Sequence, residues 1–158
     1  MDFQVFENSI LLPLTEQTAE EISCWEYPEP YSAYSFAGRP NGWLHDQTKW
    51  GSELFCLVYG ETVLGQVACQ SVGNELWVGW SMNPMFCGKG NGETFVKKCV
   101  EELKKINDCI ARIKLRVAAS NSRAISAYRK AGFSYVQTIS DEIAYSDKME
   151  DFWVMELV

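Results

Sequence analysis

Three glycines alternate through the segment Cys87-Gly88-Lys89-Gly90-Asn91-Gly92, which is the first part of the chain whose residue types suggest chemistry. Glycine lets the backbone approach a ligand closely and lets successive N–H groups point the same way. A helical pattern begins at Glu93, and the amino end of a helix favours an anion by roughly 0.3–1 kcal/mol. The segment therefore predicts a phosphate cradle, although it is neither G-x-G-x-x-G nor a Walker loop.

A second segment, Asn121–Phe133, lies 29 residues beyond Gly92 and combines a helix with a single phenol. Asparagine is a favoured N-cap, so Asn121 is predicted to start a helix that Gly132 ends at the C′ position. Tyr128 lies within this helix. The alternative explanation of Tyr128 is an aromatic side chain of an amphipathic helix that packs into the core.

Together the two segments resemble the GNAT superfamily of acetyl-CoA-dependent N-acetyltransferases. The phosphate loop of that family is Gln/Arg-x-x-Gly-x-Gly/Ala, which this chain matches at Gly90 and Gly92, while Cys87 replaces the Gln or Arg. The second signature, Asn-x-x-Ala-x-x-x-Tyr-x-x-x-Gly-Phe, is complete here. Its matching positions are Asn121, Ala124, Tyr128, Gly132 and Phe133. The resemblance spans about two-thirds of the chain, from Leu54 to Val158.

The resemblance implies a transfer of the acetyl group from acetyl-CoA to an amine. It implies that Tyr128 protonates or stabilises the CoA sulfur, and that backbone N–H groups of the strand Trp80–Met82 bond the pantetheine arm and polarise the thioester carbonyl. The cofactor-binding residues that it implies are Ser81, Met82, Cys87, Gly88, Lys89, Gly90, Asn91, Gly92, Glu93, Asn121 and Tyr128.

The general base is the least determined role. Some members of the family carry a glutamate in the strand before the asparagine, where this chain has Arg116. Others use a glutamate near the start of the strand that leads into the phosphate loop, which makes Glu75 the candidate catalytic base. Glu75 is also explained as a turn residue that faces water. Further candidates are Asp46, Glu26, Glu29 or a chain of water molecules.

The acceptor is not identified by these motifs. The aromatic segment Trp25–Phe36 lies where the family places acceptor-facing elements, so it either lines an acceptor slot or packs as core. Acceptors compatible with the sequence are a protein N-terminus, a lysine or a small amine. The alternatives are a catalytically inactive acyl-CoA-binding sensor or interaction module, and a domain that uses the loop for another anion.

The predicted elements form a mixed α/β domain of the GNAT type. The resemblance implies a mainly antiparallel sheet, helices on both faces and central strands that splay around the CoA site. Predicted strands are Asp2–Phe6, Leu54–Tyr59, Val63–Cys69, Leu76–Met82, Ile113–Val117, Ser134–Ile139 and Phe152–Leu157, with Leu54–Met82 as an antiparallel meander. Predicted helices are Glu16–Trp25 with a Thr15–Thr18 capping box, one from Glu93, and Ser122–Ala131.

Length, charge and cysteine content limit the number of domains, the partners and the metals that we expect for this protein. A chain of 158 residues fits one domain, here 1–158. Its net charge of −7 argues against nucleic acid or an anionic membrane as a partner and is compatible with a cationic amine. The six cysteines contain no close pair and His45 is the single histidine, so we expect no metal.

Without a signal-peptide pattern or an apolar span, we expect a cytoplasmic protein. A homodimer is left open, because a C-terminal strand such as Phe152–Leu157 can serve in dimers.

Overall fold

A computed structural model describes residues 2–107, 112–142 and 148–157 of the chain, so Cys109 lies outside the described residues. The described strands form one seven-stranded sheet in the order β1-β2-β3-β4-β5-β7-β6. β4 pairs parallel with β5, whereas the pairs β1–β2, β2–β3, β5–β7 and β6–β7 are antiparallel. The prediction of a mixed α/β fold with a mainly antiparallel sheet is therefore confirmed.

The elements of the described residues have the following bounds. The helices are α1 Asp2–Glu7, α2 Glu16–Ile22, α3 Gly92–Ile106 and α4 Ser122–Lys130. The strands are β1 Ile10–Pro13, β2 Leu54–Tyr59, β3 Thr62–Val72, β4 Glu75–Met82, β5 Arg112–Ala118, β6 Ser134–Glu142 and β7 Met149–Leu157. Short 3₁₀ turns occupy Ser32–Tyr34, Gly42–His45, Gln47–Lys49 and Pro84–Phe86.

The chain divides into two compact units. The first contains the residues up to Ala68 together with Trp80–Asn91, and the second contains Cys69–Gly79 together with the residues from Gly92 onward. The prediction of one domain over 1–158 stays a prediction. No helix among the described ranges is both long and apolar enough to cross a membrane.

In the first unit, β1 and β3 pair antiparallel with β2, and helix α2 supplies part of the core. The side chains of Thr15 and Thr18 each accept a hydrogen bond from the other's backbone N–H, so the predicted capping box is confirmed. Helix α2 ends at Ile22, three residues before the predicted Trp25, and Ser23 serves as its C-cap.

The prediction of a strand over Asp2–Phe6 was wrong, because these residues form helix α1. The side chain of Phe6 is fully buried, and its ring meets Phe86 edge-on with centroids 5.6 Å apart. A short helix forms its backbone hydrogen bonds within itself, so one buried aromatic is enough to anchor it. A strand would have needed a neighbouring strand to pair with its backbone along its whole length.

In the second unit, β5 pairs antiparallel with β7, and β7 pairs antiparallel with β6. The apolar stripe predicted for the helix after the glycine loop is confirmed on α3, whose buried residues are Phe95, Val96, Cys99, Val100, Glu102 and Leu103. A Cβ atom on Gly92 would lie 3.0 Å from the Cβ of Ala127, so the first residue of α3 packs tightly on α4. A larger side chain at position 92 would push these helices apart.

Candidate functional site

The glycine loop presents open backbone at Gly88 and Gly90. Their φ angles are +72° and +79°, and a Cβ atom built on either residue would meet no other atom within 4 Å. Positive φ angles favour glycine because side chains strain the backbone there. Space is therefore not the reason for these glycines. The conformation itself requires them, and alternating conformations of this kind aim N–H groups at an anion.

Asn91 fixes the loop rather than projecting from it. Its side chain is buried, and Nδ2 donates to the carbonyl oxygen of Phe86 at 3.0 Å and to a carboxylate oxygen of Asp2 at 2.9 Å. Asp2, 89 residues earlier in the chain, thus helps to hold the loop. Sequence reasoning missed this residue because a contact so distant along the chain leaves no local pattern. Any contact of Asn91 with a cofactor would therefore involve its backbone.

Cys87 and Lys89 differ in where their side chains lie. The sulfur of Cys87 turns back toward the carbonyl oxygens of Met82 at 3.8 Å and Asn83 at 3.7 Å. Lys89 is exposed, which leaves a positive charge at the surface of the loop. The loop therefore offers backbone donors and one cation, whereas the Cys87 thiol adds neither a charge nor a strong donor.

The end of β4 is tied down on one side by Asn83. Its backbone N–H donates to the carbonyl of Leu64 and its side-chain Nδ2 donates to the carbonyl of Val63, both at 2.8 Å. Successive residues of a strand direct their backbone polar groups to opposite edges. Ser81, like Asn83, therefore directs its backbone N–H and C=O toward β3. Met82 directs its backbone N–H and C=O toward the other edge of β4.

In the second unit, the parallel ladder between β4 and β5 covers three residue pairs, from Glu75 with Arg112 to Trp77 with Lys114. Val78 and Gly79 continue β4 without a partner on β5 in that register. The later part of β5, through Ala118, pairs with β7. A parallel pair that opens in this way exposes backbone donors and acceptors to a ligand.

Asn121 caps helix α4 as predicted. Its side-chain oxygen accepts a hydrogen bond from the backbone N–H of Ala124 at 3.2 Å, and its own N–H donates to the carbonyl of Ala118 at 2.9 Å. The side-chain Nδ2 of Asn121 bonds to none of the residues that the structure describes. One end of this amide thus serves the helix while the other can serve a ligand.

Tyr128 is half-buried on the same helix, with the centre of its ring 5.9 Å from that of Phe133.

Near the start of α3, Glu93 accepts a hydrogen bond from Lys97 at 2.6 Å, and this bond lowers the pKa of the Glu93 carboxyl. A carboxylate at the start of α3 repels a phosphate, and its pairing with Lys97 reduces that repulsion.

Glu75 is tied to Lys114. Its carboxylate lies 2.5 Å from the lysine Nζ and also accepts a bond from the indole of Trp77 at 3.3 Å. The bond from Lys114 lowers the pKa of the Glu75 carboxyl, which makes it a weaker base. Glu75 pairs with Arg112, the first residue of β5, whereas Asn121 lies beyond Ala118, the last residue of β5. The length of β5, roughly 20 Å, therefore separates the two residues.

Two of the other acidic candidates for the base, Asp46 and Glu29, also have partners. Asp46 caps a 3₁₀ turn by accepting two bonds from Thr48, which lower its pKa. Glu29 accepts a bond from the hydroxyl of Ser32, and Glu26 is exposed. In the second unit, Arg116 pairs with Asp141 at 2.5 Å and lies over the ring of Phe152 at 4.6 Å.

The described residues contain no group of three or more His, Cys, Asp or Glu side chains placed to hold a metal ion. The described cysteines are free thiols. Burial raises the pKa of Cys56 to about 11 and that of Cys99 well above its usual value. These two thiols are therefore protonated and unreactive near neutral pH.

Several solved structures share this fold. A GNAT-family acetyltransferase from Bacillus anthracis matches with a TM-score of 0.73 at 14% identity, covering 96% of this chain and 95% of that chain. Spermidine N-acetyltransferase from Vibrio cholerae in complex with CoA and spermine matches with a TM-score of 0.72 at 17% identity, covering 96% and 95%. The ribosomal-protein-S18-alanine N-acetyltransferase of Escherichia coli gives 0.67 at 19% identity, covering 94% and 92%. At these identities the likeness establishes the fold.

The family itself is established by sequence. The family model described as acetyltransferase (GNAT) family matches residues 17–133, which is well over half of the chain. The matched region contains the glycine loop, the cap residue Asn121 and Tyr128. This chain belongs to the GNAT family of acetyltransferases.

Proposed function

We propose that this protein transfers the acetyl group of acetyl-CoA to the nitrogen of an amine. The observation that carries the proposal is the open backbone at Gly88 and Gly90, whose positive φ angles suit a phosphate-binding loop. Helix α3 follows this loop directly in the chain and adds the partial positive charge of a helix N-terminus. The family membership supports acetyl-CoA as the donor.

The cofactor contacts are assigned by residue. The backbone of Cys87, Gly88, Lys89, Gly90, Asn91 and Gly92, with the start of α3 at Glu93, would receive the pyrophosphate. The backbone of Met82 and the Nδ2 of Asn121 would bond the pantetheine arm, whereas the backbone of Ser81 is directed at β3 and would only support the strand beside the arm. These groups are compatible with bound acetyl-CoA, because Gly88 and Gly90 leave open space and because capping uses only the side-chain oxygen of Asn121 and leaves its Nδ2 as a donor.

The acyl transfer requires a neutral amine. An amine with a pKa near 10.4 is mostly protonated at pH 7, and deprotonating it costs roughly 4.6 kcal/mol. The nitrogen then forms a bond to the thioester carbon, the carbon–sulfur bond breaks, and the thiolate takes a proton from the hydroxyl of Tyr128. The proton that the nitrogen loses as the amide forms passes through water and restores the Tyr128 hydroxyl. Backbone N–H groups of β4 stabilise the carbonyl oxygen as negative charge develops on it.

The amine loses its proton to water in this proposal. The described contacts give Glu75 and Asp46 lowered pKa values, and position 116, where some members of the family carry a glutamate, is an arginine in this chain. A chain of water molecules that leads to an exposed carboxylate such as Glu26 supplies the remaining route. The acceptor class is an amine on a small molecule or a peptide, the two kinds that the spermidine and ribosomal-protein enzymes modify.

The experiment is a thiol-release assay with acetyl-CoA and a panel of polyamines, amino acids and peptides, followed by mass spectrometry of the product. Amine-dependent thiol release together with an acetylated product would support the proposal. Acetyl-CoA binding without transfer to any amine would instead support the alternative of a catalytically inactive acyl-CoA-binding module. Cys87, which replaces the usual Gln or Arg of the loop, is the feature that favours this alternative.

A further inference from the structure

The phenol of Tyr27 reaches the end of β4 from the aromatic segment. Its Oη donates a hydrogen bond to the carbonyl oxygen of Met82 at 2.6 Å, across 55 residues of sequence. Both residues belong to the first unit. The side chain of Tyr27 is buried, and the bond itself is partly buried.

The bond lies on the edge of β4 that faces away from β3. Asn83 directs its backbone N–H to Leu64 on β3, so the preceding residue, Met82, directs both its C=O and its N–H to the opposite edge. Tyr27 satisfies the carbonyl there. The N–H of Met82 faces the same edge, where a bound thioester would run along the strand.

The backbone around Tyr27 is also fixed. The N–H of Tyr27 donates to the hydroxyl of Ser35 at 2.9 Å. The N–H groups of Phe36 and Ala37 both donate to the carbonyl of Trp25, at 2.9 and 3.1 Å. The loop is therefore closed at its base, and the phenol is held in place before any ligand arrives.

We infer that Tyr27 is a positioning residue for acyl transfer, an inference that rests on the proposed function. Its hydrogen bond fixes the last peptide units of β4, so that the N–H of Met82 is aimed at the thioester carbonyl oxygen. Donors that are oriented before the reaction stabilise the developing charge without further rearrangement. Loss of the phenol hydroxyl leaves the apolar packing of the ring in place but frees the strand end.

The test compares Tyr27→Phe with Tyr59→Phe, which removes a hydroxyl from an exposed tyrosine at the end of β2. For Tyr27→Phe we expect kcat to fall on the order of 10-fold, the usual scale for one buried hydrogen bond. The dissociation constant of acetyl-CoA should change by less than about 3-fold, since the phosphate loop is untouched. NMR of acetyl-CoA labelled at the carbonyl carbon should show a bound signal closer to that of free acetyl-CoA.

Tyr59→Phe should behave as the wild type in all three measurements. Ser35→Ala, which removes the bond to the backbone of Tyr27, should change kcat and the carbonyl signal in the same direction as Tyr27→Phe. If Tyr27→Phe binds acetyl-CoA and keeps both the wild-type kcat and the wild-type carbonyl signal, the inference is wrong. A wild-type protein that binds no acetyl-CoA would remove the proposed function first, and the two failures are therefore distinguishable.

Discussion

The carboxylate of Glu75 lies 2.5 Å from Nζ of Lys114, across the parallel pair formed by β4 and β5. The same lysine lies 5.8 Å from the ring centre of Trp77 and 3.8 Å from a carboxylate oxygen of Glu156. Glu75 thus belongs to a set of paired charges at the amino end of β5. This placement favours a structural role for Glu75 over the catalytic role that the sequence suggested.

Glu75→Gln should therefore keep kcat and KM within about 3-fold of the wild type, far from the 100-fold or greater loss expected for a general base. Steady-state kinetics over a range of pH, with Glu61→Gln as an exposed control, measure this. If kcat falls by about two orders of magnitude and the acidic limb of the pH profile disappears, Glu75 is the base after all.

Asn121 offers a way to separate capping from cofactor binding. Asn121→Asp keeps an oxygen that can accept the Ala124 N–H but removes the amide donor, whereas Asn121→Ala removes both. We expect both variants to bind acetyl-CoA more weakly, and only the alanine variant to lose about 0.5–2 kcal/mol of unfolding free energy. Calorimetric titration and urea denaturation measure the two effects. Unchanged affinity in both variants would restrict Asn121 to capping.

Tyr128→Phe should lower turnover by about 100-fold while sparing acetyl-CoA affinity, because the proposed mechanism places the hydroxyl at the departing thiolate and not at the phosphates. The ring contact with Phe133 is retained in this variant. Rapid-quench kinetics and calorimetry on the same preparation give the two values. A wild-type rate would assign the acid role to another group.

The buried thiol of Cys56 predicts a loss of stability in alkali. Burial raises its pKa from 9.0 to about 11, so the folded protein holds this proton more tightly than the unfolded chain. The stabilisation is complete below pH 9.0 and is lost as the pH rises toward about 11. Urea midpoints across this range should fall less steeply in Cys56→Ala. Equal slopes in the two proteins would contradict the assignment.

Much of the fold was predictable because local patterns determine it. The capping box at Thr15 and Thr18, the apolar stripe of α3 and the C′ glycine at position 132 each act within a few residues. Asp2–Phe6 was mistaken for a strand because six residues with one buried aromatic carry no clear period. The anchor of that helix, Phe86, lies 80 residues away.

The candidate site was predictable only in part, for a related reason. The alternation of glycines made Gly88 and Gly90 candidates, and the second motif made Asn121 one, because special backbone angles and caps require residue types that can be read from sequence. The contacts of Asn91 with Asp2 and of Tyr27 with Met82 join residues distant along the chain. Likewise, the partner that lowers the pKa of Glu75 is 39 positions away, on another strand.

The most direct test of the central claim is calorimetric titration of acetyl-CoA into three proteins: the wild type, Gly90→Glu and Gly73→Glu. Gly73 also has a positive φ angle and open space around it, but it lies in the turn after β3, so it controls for backbone strain. We predict micromolar binding to the wild type and to Gly73→Glu, and none detectable to Gly90→Glu, where a carboxylate would block and repel the phosphates. Equal affinity in all three proteins would contradict the assignment of the glycine loop as the phosphate site.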